Sequence, residues 1–335
     1  MPRHHLTTGL LVAVVAAASF GVSGPFVKPL LESGWSPVAA VTVRALIGGV
    51  LLAPIALVAL RGDLRPVWRA RWRVLGMAVI GVAGTQVFYF AAIERIPVGT
   101  AILLEYMAPL LLVAVAWAVT RRRPSALVLI GSVVAAAGLV LVVSPGGGVR
   151  LDPVGVAFGI GAMACVAGYF VLAARPAEGL PPIALAAFGL LVGGVLLGLV
   201  GLTGVVPFTI ATVDVTVLGS PMPWWLPMLI VGVIATALAY ATGITSGAML
   251  GSRLASFMGL LEVAAAAFYA WLLLGERLTA LQLVGGGLIL AGIVAVRSAR
   301  DAEVEPVPAE PALAATAAPA PPAGPAAAAP TAPAS

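Results

Sequence analysis

Three ionisable side chains, Arg44, Glu105 and Glu262, stand well inside long apolar runs of this sequence. Charge placed in hydrocarbon is costly, so each needs a partner or a wet cavity, and each marks a candidate site. A carboxylate so placed can bind an ammonium group or exchange a proton, roles open to both Glu105 and Glu262. It can equally pin helix ends through Arg44 or backbone groups. Arg44 can hold a carboxylate in a charge-assisted, often bidentate pair. It can also tie its own helix to Glu105, or snorkel to headgroups. Hydroxyls and an amide accompany the three charges: Thr85, Gln86, Tyr89, Tyr106, Tyr169, Thr236 and Tyr240. Such groups line mainly apolar pockets that make a few aimed polar contacts, or hydrogen-bond one helix to the next. The Gly24-Pro25 pair should break or kink the first helix and serve as a hinge, since proline lacks the N–H its turn requires. Other chemistries lack their residues. No Gly-rich loop ending in Lys-Ser/Thr is present to cradle nucleotide phosphates. His4 and His5 sit alone near the start, and the one cysteine, Cys165, lies in an apolar run. Hence no metal site, disulfide, catalytic triad or cofactor is expected.

The elements that position these groups follow from composition. Hydrophobic residues make up 61% of the chain and charged residues 9%, against roughly 25% charged in ordinary soluble domains. The mean hydropathy is +1.11, so the outer solvent is lipid. Ten apolar stretches recur, at 6–28, 37–60, 74–93, 98–119, 126–143, 154–174, 182–204, 224–248, 254–274 and 279–297. Each is near the ~20 residues a helix needs to cross a bilayer. They must be helices, because unpaired backbone facing lipid is untenable. The first continues past Ala16-Ala17-Ala18 to Val27, too far for a signal-peptide core.

The basic residues orient the spans. With a cytoplasmic N-terminus, Arg3, Arg61, Arg65, Arg69, Arg71, Arg73, Arg121, Arg122, Arg123, Arg175, Arg253, Arg297 and Arg300 fall inside. Outside are Lys28, Arg95, Arg150 and Arg277, each with an acid within four positions. This bias predicts both termini in the cytoplasm. It also accounts for the net charge of +5 without nucleic acid, for which no basic and aromatic surface is present. Residues 1–7 read as a cytoplasmic N-terminus, and 301–335, rich in Pro and Ala, as a disordered cytoplasmic tail.

The chain also resembles itself. Shifted by 154 residues, Ala116-Trp117 falls on Ala270-Trp271, Arg123 on Arg277, Gly131 on Gly285 and Ala137-Gly138 on Ala291-Gly292. Gly48-Gly49-Val50-Leu51-Leu52 reappears as Gly193-Gly194-Val195-Leu196-Leu197. Thr85 and Tyr89 fall on Thr236 and Tyr240 under a shift of 151, and Glu105 lands one helical turn from Glu262. The reading is two five-helix units, 8–144 and 153–297. An odd helix count inserts the second unit upside down relative to the first, an arrangement recurrent in secondary transporters with a site between the halves. The glycines at 131, 138, 155, 159, 194, 198, 285 and 292 suit close helix packing.

Particular stretches resemble a known family. Leu260-Leu261-Glu262, the run Ala270-Trp271-Leu272-Leu273-Leu274-Gly275-Glu276-Arg277-Leu278-Thr279, and Gly285-Gly286-Gly287 with Ala291-Gly292 are similar to the second half of EamA-type carriers of the drug/metabolite transporter superfamily. Ser36-Pro37 leading to Arg44, and Leu104-Glu105-Tyr106-Met107-Ala108-Pro109 followed by Arg123-Pro124, match the first half and look most like the threonine/homoserine-exporter branch. Phe20 to Lys28 is a looser match. Val263 stands where many relatives have Pro, and Arg122-Arg123 replaces a Glu-Arg pair. The resemblance spans roughly 8–297 and implies a ten-helix carrier, not an enzyme, that exports amino acids or other small metabolites across the inner membrane. Expected partners are a small-molecule substrate and the bilayer, with proton coupling through Glu105 or Glu262 and facilitated export both open. A carrier for sugars, nucleotide derivatives or drugs on the same fold is the alternative, and a channel a further one. The oligomeric state is not readable from the sequence.

Overall fold

The computed structural model describes residues 3–121, 124–143, 151–173, 179–217 and 219–304. Arg122, Arg123, Arg150, Arg175 and the tail from 305 lie outside them. The described chain is almost wholly helical: α1 (Arg3–Gly21), α2 (Ser23–Glu32), α3 (Pro37–Ala59), α4 (Arg65–Arg69), α5 (Arg71–Gly76), a π-helical stretch Met77–Gly84, α6 (Thr85–Ile93), α7 (Val98–Glu105), α8 (Ala108–Thr120), α9 (Ala126–Val143), α10 (Pro153–Ala173) and α11 (Pro182–Leu202). A short antiparallel hairpin follows, β1 (Val215–Val217) with β2 (Ser220–Met222), then α12 (Trp225–Gly232), a second π-helical stretch Val233–Leu238, α13 (Ala239–Leu274) and α14 (Ala280–Val304). Among the described residues, seven helical segments are long and apolar enough to cross a membrane and three shorter apolar helices accompany them.

The outer surface carries the side chains that lipid requires. Val58, Val119, Val133 and Leu202 are each more than two-thirds exposed, which water would not tolerate over a whole helix face. At one end, around α4 and α5, Trp68 and Trp72 stand out from the surface with the Arg71 guanidinium stacked on both, 5.4 and 5.8 Å from the ring centres. Aromatic and basic residues together are the composition of a membrane interface.

Several expected spans are interrupted, each for a local reason. The first breaks at Val22, so Gly24 and Pro25 sit in the opening turn of α2, where a proline's missing N–H costs nothing. The fourth breaks between α7 and α8 because Pro109 cannot donate to the Glu105 carbonyl four residues back. The structure thus divides the span expected at 98–119. The third span and its counterpart at 225–250 each contain a π-helical stretch, marked by hydroxyls reaching back five residues: Thr85 donates to Ile80 O at 3.0 Å and Thr236 to Val231 O at 2.9 Å. The expected spans 224–248 and 254–274 both run into α13. Gly243 lies against Phe20, yet Ala265 lies against Gly21. A straight helix would separate Gly243 from Ala265 by about 33 Å, so α13 folds back between them. At the far end, α14 runs to Val304 instead of stopping at 297. Ala, Arg and Glu favour helix there, and Pro306 follows.

Helix ends are capped by chemistry visible in the sequence. Ser36 accepts the Ala39 N–H at 3.2 Å with Pro37 next to it. Asp152 accepts the Val154 N–H at 2.9 Å and opens α10. That backbone bond, then the Arg95 guanidinium 3.0 Å away, holds the Asp152 carboxyl below the usual carboxylate range. Gly275, at φ 68°, closes α13 in the left-handed conformation that glycine adopts freely.

The two repeats pack face to face, and equivalent helices cross in antiparallel register. A Cβ built on Gly131 of α9 would lie 2.8 Å from the Gly292 carbonyl of α14, and one on Gly285 would lie 2.6 Å from the Gly138 carbonyl. Exchange of the repeats turns one contact into the other. α3 and α11 repeat the relation: Gly49 abuts Leu191, and Gly194 abuts Leu46. Rising numbers on one helix meet falling numbers on its mate, so the equivalent helices run in opposite directions.

Candidate functional site

A cavity of about 320 Å³ lies between the repeats, within the roughly 300–1,000 Å³ range of small-molecule sites. Phe20, Met77, Gly81, Val166 and Phe170 make its apolar wall, and Thr85, Gln86, Glu105, Tyr106, Tyr169, Tyr240 and Glu262 supply its polar groups. The lining comes from both repeats and gathers at helix interruptions. Glu105 ends α7 at the proline-induced break, where the carbonyl ends of the helix already favour positive charge. Met77, Gly81 and Thr85 come from the π-helical segment and its exit. Tyr240 leaves the second such segment with its ring set edge-on to Phe20, centroids 5.3 Å apart.

Glu105 has no hydrogen-bond or ion-pair partner among the described residues, and it faces the cavity. Glu262 accepts the Tyr106 hydroxyl at 2.7 Å, a bond from the first repeat to the second. The two acids therefore share one chamber.

Arg44 stands behind this chamber, outside its lining and only 4% exposed. Its Nε donates to Thr236 Oγ1 at 3.1 Å and Nη1 to Ser23 Oγ at 2.9 Å. Nη1 also donates to Gln86 Oε1 at 2.5 Å, and Nη2 to the Ala235 carbonyl at 3.3 Å. Phe90 lies under the guanidinium, 5.5 Å away. Of the anchors open to it in the sequence, neither Glu105 nor headgroups hold it: neutral acceptors on three neighbouring segments do. Tyr89 is also outside the lining, buried beside Phe90 with its hydroxyl against Gly24, where a Cβ would stand 2.7 Å away. Gly24 thus admits this tyrosine, and Gly24 and Pro25 lie just beyond the break at Val22.

At the opposite end of the bundle, ion pairs and hydrogen bonds tie distant segments together. Lys28 Nζ and Glu276 Oε1 are 2.5 Å apart, and Glu276 Oε2 accepts the Val98 N–H, a free donor at the start of α7. Gly275 ends α13 so that Glu276 can reach both. Arg95 pairs with Asp152 at 3.0 Å. The Trp35 indole N–H donates to Ala211 O at 2.7 Å, and Ser36 and Thr209 bond each other, so the segment before the hairpin straps down the 33–36 turn. The acids nearest in sequence are Glu32 to Lys28 and Glu94 to Arg95. The partners in space are far along the chain. Among the described residues no group of three His, Cys, Asp or Glu is placed to hold a metal ion.

Comparison with known proteins agrees with this architecture. The transporter YwfM of Bacillus subtilis is 29% identical over 314 residues, covering 86% of this chain and 93% of its own length. The threonine/homoserine exporter RhtA of Escherichia coli is 29% identical over 291 residues, covering 84% and 88%. The inner membrane transporter YicL of Salmonella typhimurium is 25% identical, covering 86% and 94%. A crystal structure at 21% identity superposes with a TM-score of 0.56, over 89% of this chain and 99% of the other, and supports the fold. The model of the EamA-like transporter family matches twice, at residues 7–144 and 153–298. This chain, a multi-pass membrane protein built of two repeats around a shared cavity, belongs to the EamA-like transporter family.

Proposed function

We propose that this protein is a secondary transporter of the inner membrane that exports amino acids or related small metabolites by alternating access between its repeats. The observation that carries this reading is the chamber between antiparallel repeats in which the Glu105 carboxylate meets no protein partner. A buried carboxylate left open to a cavity is suited to an ammonium group or a proton. Glu105 and Glu262 are then the proton-coupling candidates, and Gln86, Tyr106, Tyr169 and Tyr240 the neutral contacts to substrate. The exporter named among the relatives handles threonine and homoserine, which carry such an ammonium group, and another relative is named for the inner membrane.

In this reading the chain crosses the membrane ten times, with units 8–144 and 153–297 inserted oppositely and both termini in the cytoplasm. The fold-back of α13 and the arginines at 61–73 support that topology. In this reading Met77, Tyr169 and Phe170 lead from the cavity toward those arginines, so this conformation faces the cytoplasm while the Lys28–Glu276 end is shut. Gly24 and Pro25 then flank the hinge through which the first span reopens the closed side.

Counterflow in proteoliposomes tests the carrier reading. Vesicles loaded with an unlabelled amino acid should accelerate uptake of the labelled one, with saturation. Uptake that rises linearly with concentration and ignores the internal pool would identify a channel. No flux for any of a panel of amino acids and common metabolites would end the proposal.

A further inference from the structure

Arg44 has its nitrogens turned to neutral acceptors, and the one of those acceptors that lines the cavity is Gln86. Four donors are engaged, by Thr236, Ser23, Gln86 and the Ala235 carbonyl, and no carboxylate approaches within ion-pair distance among the described residues. The bond to Gln86 fixes the direction of that side chain. With Oε1 held by the guanidinium, the amide nitrogen is the end left over, and it has no hydrogen-bond partner among the described residues. A cation on the amide oxygen also draws electron density from the nitrogen, so its N–H groups become better donors.

We infer that Gln86 is the carboxylate-recognising residue of the site, and that Arg44 acts through it as a positioning and polarising residue without touching substrate. This deepens the transport reading above and rests on it. The cavity then has two chemically distinct ends. N–H donors backed by a buried cation stand at Gln86, and carboxylates stand at Glu105 and Glu262. A zwitterion with its carboxylate and ammonium on one short backbone matches both ends, which makes α-amino acids the substrate class. An amine without a carboxylate satisfies only the Glu105 end. The direct alternative, Arg44 as the carboxylate clamp, would require breaking the bonds that bury it.

The experiment compares L-threonine with 1-aminopropan-2-ol, the same molecule without its carboxylate, as competitors of labelled threonine counterflow in proteoliposomes. The unmutated protein should prefer threonine by roughly tenfold or more, the range expected for hydrogen bonds to a charged group. Gln86→Glu keeps a partner for Arg44 and the same shape but removes the N–H donors. It should raise the KM for threonine about tenfold and leave the inhibition constant of the amino alcohol unchanged or lower, so that the preference collapses. Gln86→Leu should also erase the preference, and Gln86→Asn should restore part of it. Arg44→Lys keeps the charge and loses the fork, and should lower the preference without changing which compound binds. A purely structural role for Gln86 would change the amount of folded protein or kcat and leave the ratio intact. Threonine flux with an unaltered ratio in Gln86→Glu overturns the assignment and spares the carrier reading. No threonine flux in the unmutated protein overturns both.

Discussion

The two repeats share a backbone plan down to single hydrogen bonds but differ in their charges. Thr85 and Thr236 hold their helices in the same wide turn by bonding five residues back, and the glycine contacts of α9 with α14 and of α3 with α11 exchange into one another. Yet Arg44 corresponds to Gly189 under the shift of 145 that aligns α3 with α11, and Gln86 corresponds to Ala237. Glu105 corresponds to Gly259, with Glu262 one turn further on. Symmetry is thus kept at the helix crossings and abandoned among the charged and amide side chains in and behind the cavity. A site at a pseudo-twofold axis has no polarity of its own; the polarity comes from the first repeat.

The sharpest way to break this comparison is to remove the unpartnered charge. Glu105→Gln keeps shape and hydrogen-bonding capacity and loses the carboxylate. If the first repeat holds the cationic end of the substrate, counterflow should fall about 100-fold, the scale of a lost charge-assisted contact of ~3 kcal/mol. Glu262→Gln should cost less, because the Tyr106 hydroxyl already occupies one of its oxygens. Equal losses at both positions would mean the repeats contribute alike.

A second test probes the symmetric part. Gly131→Val and Gly285→Val are equivalent insertions into the α9–α14 crossing, each driving a side chain against a carbonyl or its neighbours. Both should destabilise the purified protein by about 1 to 3 kcal/mol, the usual cost of overpacking. Thermal unfolding in detergent should show the two variants alike. A large difference would show that the crossing is less reciprocal than the glycine contacts imply.

What the sequence disclosed follows the same division. The repeat and the helices were legible because lipid makes apolar length conspicuous, and Arg44, Glu105 and Glu262 stood out as candidates because buried charge is conspicuous too. The Thr85/Thr236 and Tyr89/Tyr240 correspondences were visible as well, but not that one threonine faces the cavity while the other holds Arg44. Contacts between distant helices leave no mark on local spacing, so Glu276 was hidden as the partner of Lys28 and Asp152 as that of Arg95. The break after Glu105 was readable in principle: Pro109 announces it, and a proline four residues beyond a buried acid signals a carbonyl without its helical donor. The apolar wall, Phe20, Met77, Gly81, Val166 and Phe170, had no signal to distinguish it from lipid-facing residues of the same type.

The two ends of the bundle sharpen the comparison further. Lys28 and Glu276 join at one end in an ion pair whose side chains are 16% and 15% exposed. Aligning Gly24-Pro25-Phe26-Val27 with Gly168-Tyr169-Phe170-Val171 places Leu172 opposite Lys28, and the shift of 154 places Arg122 opposite Glu276. The corresponding sequence positions therefore carry no pair of opposite charges. Lys28→Met or Glu276→Gln should raise labelling of a cysteine placed at buried Ala101, in a Cys165→Ser background, by about tenfold with a membrane-impermeant reagent added outside. The double exchange of Lys28→Glu with Glu276→Lys should restore protection. Labelling that ignores all these variants would remove the ion pair from the closing mechanism.

The smallest effect tests the symmetry at one backbone position. Gly275 ends α13 at φ 68°, and under the 154-residue shift its counterpart is Arg121, which ends α8 at φ 56°. Both chain segments leave the helix by the same left-handed turn, but only glycine does so without a clash between Cβ and carbonyl. Arginine there carries about 1 kcal/mol of strain. Arg121→Gly should recover part of this and raise the unfolding temperature slightly, at the loss of one positive charge. Gly275→Ala should cost about 1 kcal/mol and misdirect Glu276, so it should also weaken the latch. If Arg121→Gly is instead destabilising, the arginine side chain at that position contributes more through the membrane interface than its backbone loses. The orientation of the repeats by their basic residues would then outrank the local symmetry of their helix ends.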